Sequence, residues 1–342
     1  MNLLEIKNLK IVYRTQAGEA RAVDGIDLNL TAGKNLGLVG ESGCGKSTVV
    51  RSILRLLPPN ARIESGRISF DGKDLSKLPE RELESLRWQE ISLIPQGAMN
   101  SLDPVYRVGD QIVEAILAHE KASRPEVWAR VEKLFDLVGL APFRLRDFPH
   151  QYSGGMKQRA FIAMALALHP KLIIADEPTT ALDVIVQGQI LRRIKEIHQL
   201  QGGSMILVTH DISVVAETCH EVAIMYAGKI MEFGRVEEIF QEPAHPYTMG
   251  LKNAFPSVTG ERRRLISIPG KPPDLINSSP GCLFAPRCPF ATSLCFREMP
   301  AEQEIAPGHL AACHHLDRRE ELRVRAQKED TWGEERPVSH SS

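Results

Sequence analysis

The chain has 342 residues, a formal net charge of −1 at pH 7 and 43% hydrophobic residues. Because the charge is balanced, the composition gives no sign of electrostatic binding to nucleic acid. Its apolar stretches, such as residues 161–168, are far shorter than the roughly 20 residues that cross a bilayer, and the first residues lack the pattern of a secretory signal. We therefore expect a cytoplasmic protein that reaches any membrane through a partner.

The first motif is a phosphate-binding loop. Residues 3–13 and 25–30 are predicted strands, and the apolar strand 36–39 runs into a segment of the form G-x-x-x-x-G-K-[ST]. The backbone N–H groups of such a loop cradle phosphate oxygens, and the predicted helix over 47–57 supplies the required strand–loop–helix context. We expect Lys46 to contact the β- and γ-phosphates of ATP and Ser47 to ligate Mg²⁺. The predicted ATP and Mg²⁺ contacts also include Gly40, Ser42, Gly43, Cys44, Gly45 and Thr48.

A second glycine turn follows a helical stretch. After a predicted strand over 91–95 and Gln96, helical patterns over 108–119 and 126–137 indicate a subdomain inserted at about 97–158. Near the end of this subdomain, the turn Ser153-Gly154-Gly155 begins a predicted helix over 154–168. The N–H groups at the start of that helix can bind an anion, but the turn itself contains no lysine. One chain has no need of two phosphate clamps for one nucleotide. Two copies facing each other can each close the other's site.

Two carboxylates end a buried strand. Residues 172–176 form an apolar run that finishes in Asp176, and Glu177 follows. We expect Asp176 to hold Mg²⁺ and Glu177 to orient, or take a proton from, the attacking water. A helix over 184–200, a strand over 205–209, a helix over 212–220 and a hairpin around Ala227-Gly228 come next. This alternation predicts an α/β fold with a largely parallel sheet covered on both faces.

The C-terminal part changes in composition. Proline-rich sequence from about residue 241 predicts a separate, loop-rich appendage to about 316, and the charged tail 317–342 is predicted to be disordered. In a reducing compartment, the four clustered cysteines of the appendage indicate a metal site rather than disulfides. Four thiolates suit zinc as well as an iron–sulfur cluster, a nearby histidine could replace one ligand, and a site without metal is a third alternative. These cysteines are Cys282, Cys288, Cys295 and Cys313.

Together these motifs resemble the ATP-binding cassette (ABC) family. The resemblance implies a P-loop NTPase domain over residues 1–240, with a RecA-like core and the inserted helical subdomain. It also implies that ATP on one cassette is closed by residues of a partner cassette. It further implies that Gln96 is a switch glutamine, which touches Mg²⁺ and water while its loop contacts a transmembrane partner. His210 would be a catalytic switch histidine that hydrogen-bonds the γ-phosphate, and Tyr13 would stack on adenine. A dimer loop would contain Asp183, and a partner-facing signature would comprise Ser153, Gly154, Gly155 and Gln158. The alternatives are a helix-capping role for His210 and a core position for Tyr13.

Finer features are similar to the dipeptide and oligopeptide importer branch of this family. They lie at residues 98–104, 177–184, 225–230 and 243–248 and in the cysteine-rich segment. The resemblance implies an ATPase peripheral to the cytoplasmic face of the inner membrane, with a second, paralogous ATPase subunit, two permease subunits and an extracytoplasmic solute-binding protein. It also implies a [4Fe-4S] cluster on the four clustered cysteines.

Three other functions stay open. The chain could energise import of nickel or another small solute in the same branch. It could be a soluble cassette protein acting on DNA or ribosomes, although such proteins usually carry two cassettes or strongly basic patches. It could also be a regulator in which the four clustered cysteines report the redox state.

Overall fold

The structure is a computed structural model that describes residues 1–97, 101–178, 188, 191–192, 194–196, 202–254, 266–276 and 279–333. It divides into two compact units. The first unit contains the strand-end carboxylates and the second contains the phosphate loop. The first comprises Met1–Leu4, Leu30–Asn35 and Phe70–Val208, and the second comprises Glu5–Asn29, Leu36–Ser69 and Thr209–Ser342.

The strands and helices are numbered here in chain order. The strands are β1 Asn2–Thr15, β2 Gly18–Thr31, β3 Asn35–Val39, β4 Ala61–Phe70, β5 Lys73–Asp74, β6 Ile91–Ile94, β7 Leu172–Asp176, β8 Ser204–Thr209, β9 Glu221–Tyr226, β10 Lys229–Arg235, β11 Gln303–Ala306 and β12 His309–Ala311. The helices are α1 Lys46–Ile53, α2 Glu80–Leu86, α3 Val108–Leu117, α4 Arg124–Leu137, α5 Gly154–Leu166, α6 Ile212–Thr218, α7 Val236–Gln241, α8 Pro246–Asn253, α9 Ser293–Arg297 and α10 Arg319–Ala326.

The first unit has a parallel core. Strand β7 pairs in parallel with β6 on one side and with β8 on the other, and all five residues of β7 are buried, as its apolar run predicts. Helices α3, α4 and α5 pack on one another, and α5 also packs against β6. Each of these helices lies within two residues of its predicted bounds. The predicted helix over 184–200 lies mostly outside the described residues.

The second unit contains two groups of strands. In one, β1 lies between β2 and β4, and in the other the order is β11-β12-β10-β9-β3, with β3 parallel to β9 and the remaining pairs antiparallel. The predicted hairpin is confirmed, because β9 and β10 meet at Ala227 and Gly228, whose φ angles are 46° and 84°. Two positive φ values are typical of the type I′ turn, whose twist matches that of the strands. Within the described ranges, every helix is too short or too polar to serve as a membrane span.

The C-terminal part differs from its prediction in two ways. It is not separate from the core, because β12 pairs with β10 in the register Glu232↔Ala311 and so extends that sheet. The tail is not disordered from residue 317, because α10 packs on α8 through a short apolar face of Leu322 and Ala326. Two i,i+4 apolar side chains are enough to fix one side of a charged helix. Residues 334–342 lie outside the described part of the chain.

Candidate functional site

The phosphate loop lies in the second unit, between the buried strand β3 and helix α1. Gly43 and Gly45 have φ angles of 80° and 105°, and a Cβ on Gly45 would collide with the carbonyl of Ala22, so glycine is required there. The side chain of Lys46 is 5% exposed, and its Nζ donates hydrogen bonds to the carbonyls of Gly40 at 2.7 Å and Glu41 at 2.8 Å. The strand–loop–helix context that the motif requires is therefore present.

Helix α1 brings Thr48 to Tyr13. The Tyr13 hydroxyl lies 3.2 Å from Oγ1 of Thr48, and Tyr13 is half-buried rather than part of the core. The core alternative for Tyr13 is therefore wrong, while adenine stacking stays a prediction. Within the loop, burial raises the pKa of the Cys44 thiol despite the nearby Lys46 ammonium. A protonated, buried thiol of this kind packs as a small apolar side chain.

Glu41, at the second position of the phosphate loop, is held by two residues that sequence reasoning did not single out as functional. The guanidinium of Arg287 donates two hydrogen bonds to the Glu41 carboxylate, at 2.7 and 2.9 Å. The backbone N–H of Glu41 donates to the hydroxyl of Tyr247 at 3.0 Å. The only sequence signal for Arg287 was its position just before Cys288, inside the cysteine-rich segment.

The strand-end carboxylates lie in the first unit. Because β6 and β7 are parallel, with Ile94 opposite Ala175, their carboxyl ends reach the same edge of the sheet. This brings Gln96 to Glu177, and Nε2 of Gln96 donates a hydrogen bond to Oε2 of Glu177 at 2.9 Å. Glu177 has a φ of 46°, an unusual value for a non-glycine residue, and its N–H donates to the Val208 carbonyl at 2.9 Å.

Strained backbone at this carboxylate indicates a position that the surrounding structure fixes. Asp176, at the end of β7, is buried, whereas Glu177 is half-buried. The two adjacent acids therefore differ in access to solvent, as their different predicted roles require. An oriented, partly accessible carboxylate can act on a water molecule, and a buried one can act as a fixed ligand.

The signature turn lies at the start of α5. Ser153 is the N-cap, and its Oγ accepts a hydrogen bond from the Met156 N–H at 3.3 Å. Ser153 and Gly154 are exposed and Gly155 is half-buried, so the turn can be presented to a partner. Gln158 differs, because it is 4% exposed and its amide donates to the carbonyl of Pro178 in the same chain.

His210 lies in the second unit, two residues before the start of α6. Its side chain is exposed, and the N-cap of α6 is Asp211, whose Oδ1 accepts a hydrogen bond from the Ser213 N–H at 2.8 Å. The alternative of a capping histidine is therefore wrong, and the switch role of His210 stays a prediction. Asp183, predicted to lie in the dimer loop, lies outside the described residues.

The four clustered cysteines line one small cavity in the second unit, together with histidine, proline and phenylalanine side chains. Two of them are joined directly, because the Cys282 N–H donates to the Cys295 carbonyl at 2.7 Å, and Sγ of Cys295 lies 3.6 Å from Nε2 of His315. All four are free thiols. The four cysteines that cluster in the sequence therefore line one space, and their role as metal ligands stays a prediction.

The thiols are not arranged as a finished metal site. Burial raises the pKa of Cys282 to about 11 and that of Cys313 to about 12, and it also raises the pKa of Cys288. Over the part of the chain that the structure describes, no group of three or more His, Cys, Asp or Glu side chains has the geometry to hold a metal ion. The donor chemistry suits a thiophilic metal, but binding has to displace the thiol protons.

Comparison with known proteins adds to this geometry. Residues 23–180 match the family model described as "ABC transporter", and residues 231–295 match "Oligopeptide/dipeptide transporter, C-terminal region". The chain is 46% identical over 320 residues to the dipeptide transport ATP-binding protein DppD of Lactococcus lactis, covering 93% of this chain and 92% of the relative. It is 44% identical to the oligopeptide transport ATP-binding protein OppD of Salmonella typhimurium, covering 91% and 93%.

Solved structures give the same fold. A dimeric ATP-binding cassette, MJ0796, in a post-hydrolysis state with ADP and Pi, matches with a TM-score of 0.61 and 26% identity, over 68% of this chain and 98% of that one. The structure of cbiO1 from Clostridium perfringens, part of the transporter complex cbiONQ, matches with a TM-score of 0.60 and 28% identity, over 70% and 91%. The P-loop ATPase fold of the chain is therefore shared with cassettes of known structure.

Proposed function

The chain belongs to the ABC transporter ATPase family, and we propose that it is the ATP-hydrolysing subunit of an importer of dipeptides or oligopeptides. The observation that carries the proposal is similarity along nearly the whole chain to peptide-transport ATP-binding proteins, including the C-terminal region model. ATP hydrolysis is supported independently by the phosphate loop and by the Gln96–Glu177 pair.

We assign a residue of this chain to each step of ATP hydrolysis. Lys46 and the loop N–H groups bind the phosphates, and the oxygen ligands that Ser47 and Asp176 offer are those that Mg²⁺ prefers. When bound, Mg²⁺ neutralises charge on the phosphates. Glu177, oriented by Gln96, orients the attacking water and accepts its proton, so that ATP and water yield ADP and phosphate. His210 contributes a hydrogen bond to the γ-phosphate.

The active assembly contains a second cassette. Ser153, Gly154 and Gly155 close the ATP site of that partner, which we take to be a paralogue. The exposed start of α5 supports this role, whereas Gln158 is assigned to support of its own chain through Pro178. Two permease subunits carry the substrate, a solute-binding protein delivers it outside, and this chain sits peripherally on the cytoplasmic face of the membrane. Peptide selection belongs to those partners.

We also propose that the cysteine cavity holds a metal centre, with a [4Fe-4S] cluster as the first candidate. The convergence of four thiols on one cavity supports the proposal. Cys282, Cys288, Cys295 and Cys313 are its ligands, and the thiols bind as thiolates after losing their protons. We assign this metal centre a structural role, because the cavity belongs to the cysteine-rich C-terminal segment, which packs beside the phosphate loop.

Substrate uptake in cells tests the peptide assignment. Cells that lack other peptide importers would carry the wild-type chain, Glu177→Gln, or the control Glu64→Gln, which changes an exposed carboxylate on β4. We expect labelled dipeptide uptake to disappear only with Glu177→Gln, while nickel uptake stays the same in all three. If nickel uptake depended on Glu177 and dipeptide uptake did not, the chain would instead serve a nickel importer.

A further inference from the structure

The C-terminal segment contacts the phosphate loop through a partly buried ion pair. Nη1 of Arg287 donates to Oε2 of Glu41 at 2.7 Å, and Nη2 donates to Oε1 at 2.9 Å, so each terminal nitrogen of the guanidinium bonds one carboxylate oxygen. The Arg287 side chain is 6% exposed and that of Glu41 is 25% exposed. A bidentate pair with this burial fixes orientation as well as distance, unlike the exposed ion pairs of the surface.

Arg287 is itself held in place. Its Nε donates to the Pro269 carbonyl at 2.8 Å, and its Nη1 lies 3.2 Å from the hydroxyl of Tyr226. The guanidinium also lies 5.7 Å from the centre of the Tyr226 ring, a cation–π contact. Because these three contacts hold the guanidinium, it presents a rigid fork to Glu41 rather than following it.

Tyr247 holds the same loop residue by its backbone. Its hydroxyl accepts the N–H of Glu41 at 3.0 Å, and its ring packs against Tyr226 and Phe284, with centroids 4.7 and 5.3 Å away. Phe284 and Arg287 belong to the same short turn before Cys288. Glu41 is therefore fixed at its side chain and at its backbone by residues that follow the ATP-binding domain in the sequence.

The position of Glu41 determines the direction of the catalytic ammonium group. Nζ of Lys46 donates to the carbonyls of Gly40 and Glu41. The Gly40 carbonyl belongs to the same peptide unit as the N–H that Tyr247 binds, and the Glu41 carbonyl belongs to the next unit. A shift of that peptide would move the acceptors of the Lys46 ammonium and the neighbouring loop N–H groups that face phosphate. We propose that Arg287 is a positioning residue for ATP binding, which holds the phosphate loop in its binding geometry through Glu41, with Tyr247 fixing the adjacent backbone.

This inference rests on the ATPase activity but not on the identity of the transported solute. It gives the cysteine-rich segment a part in nucleotide binding that needs no metal. Positioning predicts a specific kinetic pattern: loss of Arg287 weakens ATP binding, while the chemical step, which depends on Glu177, changes little once ATP is bound. General destabilisation would instead lower the fraction of active protein, and so reduce kcat with an unchanged KM.

The test compares full-length variants by ATP binding at equilibrium and by the KM and kcat of hydrolysis in the assembled transporter. We expect Arg287→Met to raise the Kd and KM for ATP about tenfold, with kcat within about twofold of the wild-type value. Arg287→Lys, which restores one charged donor, should recover part of the affinity. Arg318→Met is the matched control, because it removes an exposed bidentate pair with Glu321 (3.0 and 2.8 Å) and should leave ATP binding unchanged.

A double-mutant cycle separates positioning from independent effects. If Arg287 acts through Glu41, then Glu41→Gln together with Arg287→Met should weaken ATP binding no more than Arg287→Met alone. Fully additive effects, or an unchanged Kd in a folded Arg287→Met chain, would overturn the proposal while leaving the ATPase assignment intact. A folded wild-type chain that does not bind ATP would refute the ATPase assignment as well.

Discussion

The side-chain amide of Gln96 donates a hydrogen bond to the carboxylate of Glu177 at 2.9 Å, joining two residues 81 positions apart. The parallel pairing of β6 with β7 makes this contact possible, because both strands end at the same edge. The contact therefore links the loop after β6, expected to face a permease, to the residue expected to catalyse hydrolysis.

Replacing Glu177 by Gln should separate binding from hydrolysis. The amide keeps the size of the side chain but cannot accept a proton, so we expect turnover to fall by about 10²- to 10⁴-fold while ATP affinity is retained. The measurements are phosphate release by the assembled complex and equilibrium ATP binding. Near wild-type turnover in this variant would remove Glu177 from its catalytic role.

Replacing Gln96 by Ala should have a smaller effect on the same step. The carboxylate of Glu177 would remain but lose the donor that orients it, and we expect kcat to fall about tenfold, the effect of one hydrogen bond to a charged group. Glu177→Gln and Gln96→Ala should not add when combined, because both act on one group. Additive losses would show that Gln96 acts independently of Glu177.

His245 should make the stability of the protein depend on pH. Its ring is buried, its Nδ1 accepts the Tyr247 N–H at 3.0 Å, and burial lowers its pKa to about 3. In the unfolded chain a histidine binds a proton near pH 6.5, so below that pH the unfolded state takes up more protons and the free energy of unfolding falls. The loss begins near pH 6.5 and continues towards pH 3.

The variant His245→Asn isolates this effect, because the Asn side-chain oxygen can accept the same N–H but does not titrate. Between pH 7 and pH 5, the wild-type chain should lose about 2 kcal/mol more unfolding free energy than the variant. Urea unfolding at the two pH values provides the measurement. Equal losses in the two proteins would show that His245 takes up its proton without unfolding.

Glu232 should be essential for joining the C-terminal strands to the core. This carboxylate is 0% exposed and accepts the N–H groups of Ala244 at 2.7 Å and His245 at 2.9 Å, and it contacts Nε2 of His309 at 2.8 Å. Glu232→Gln would set an amide NH₂ against one of these donors, so we expect a loss of about 3 kcal/mol in unfolding free energy. Glu304→Gln, at an exposed carboxylate on β11, is the control and should change stability little. Equal stabilities would contradict the role.

The metal proposal has its own test. Anaerobically purified wild-type chain should contain iron and acid-labile sulfide, and Cys288→Ser should remove most of both, because one of four thiolate ligands is lost. Cys219→Ser changes a buried cysteine outside the cavity and should leave the iron content unchanged. Iron-free wild-type protein, or full iron content in Cys288→Ser, would contradict the assignment.

The sequence was most informative where one local pattern determined the result. The apolar run of β7 and the glycine spacing of the phosphate loop each specify their own backbone, and both are seen as predicted. Helix α4 begins before its predicted start because the Ser123 N–H donates to the Glu126 side chain at 3.1 Å, in a capping box whose S-x-x-E spacing is visible in the sequence.

Other features depend on partners distant in the chain. Strand β12 is short and becomes a strand by pairing with β10, and α10 is charged except for the face that packs on α8. The contact between Arg287 and Glu41 spans 246 residues, and neither local composition nor spacing predicts it. Such pairs are determined by the tertiary fold, so only the structure reveals them.

Transport by the reconstituted complex tests the central claim most directly. The chain would be assembled with its permease, partner ATPase and binding protein in vesicles, and ATP-dependent accumulation of a labelled dipeptide would be compared between wild type and Glu177→Gln. We predict accumulation with the wild-type chain and none above background with the variant. Dipeptide accumulation that proceeds equally with Glu177→Gln, or that needs no ATP, would contradict the proposal that this chain powers peptide import.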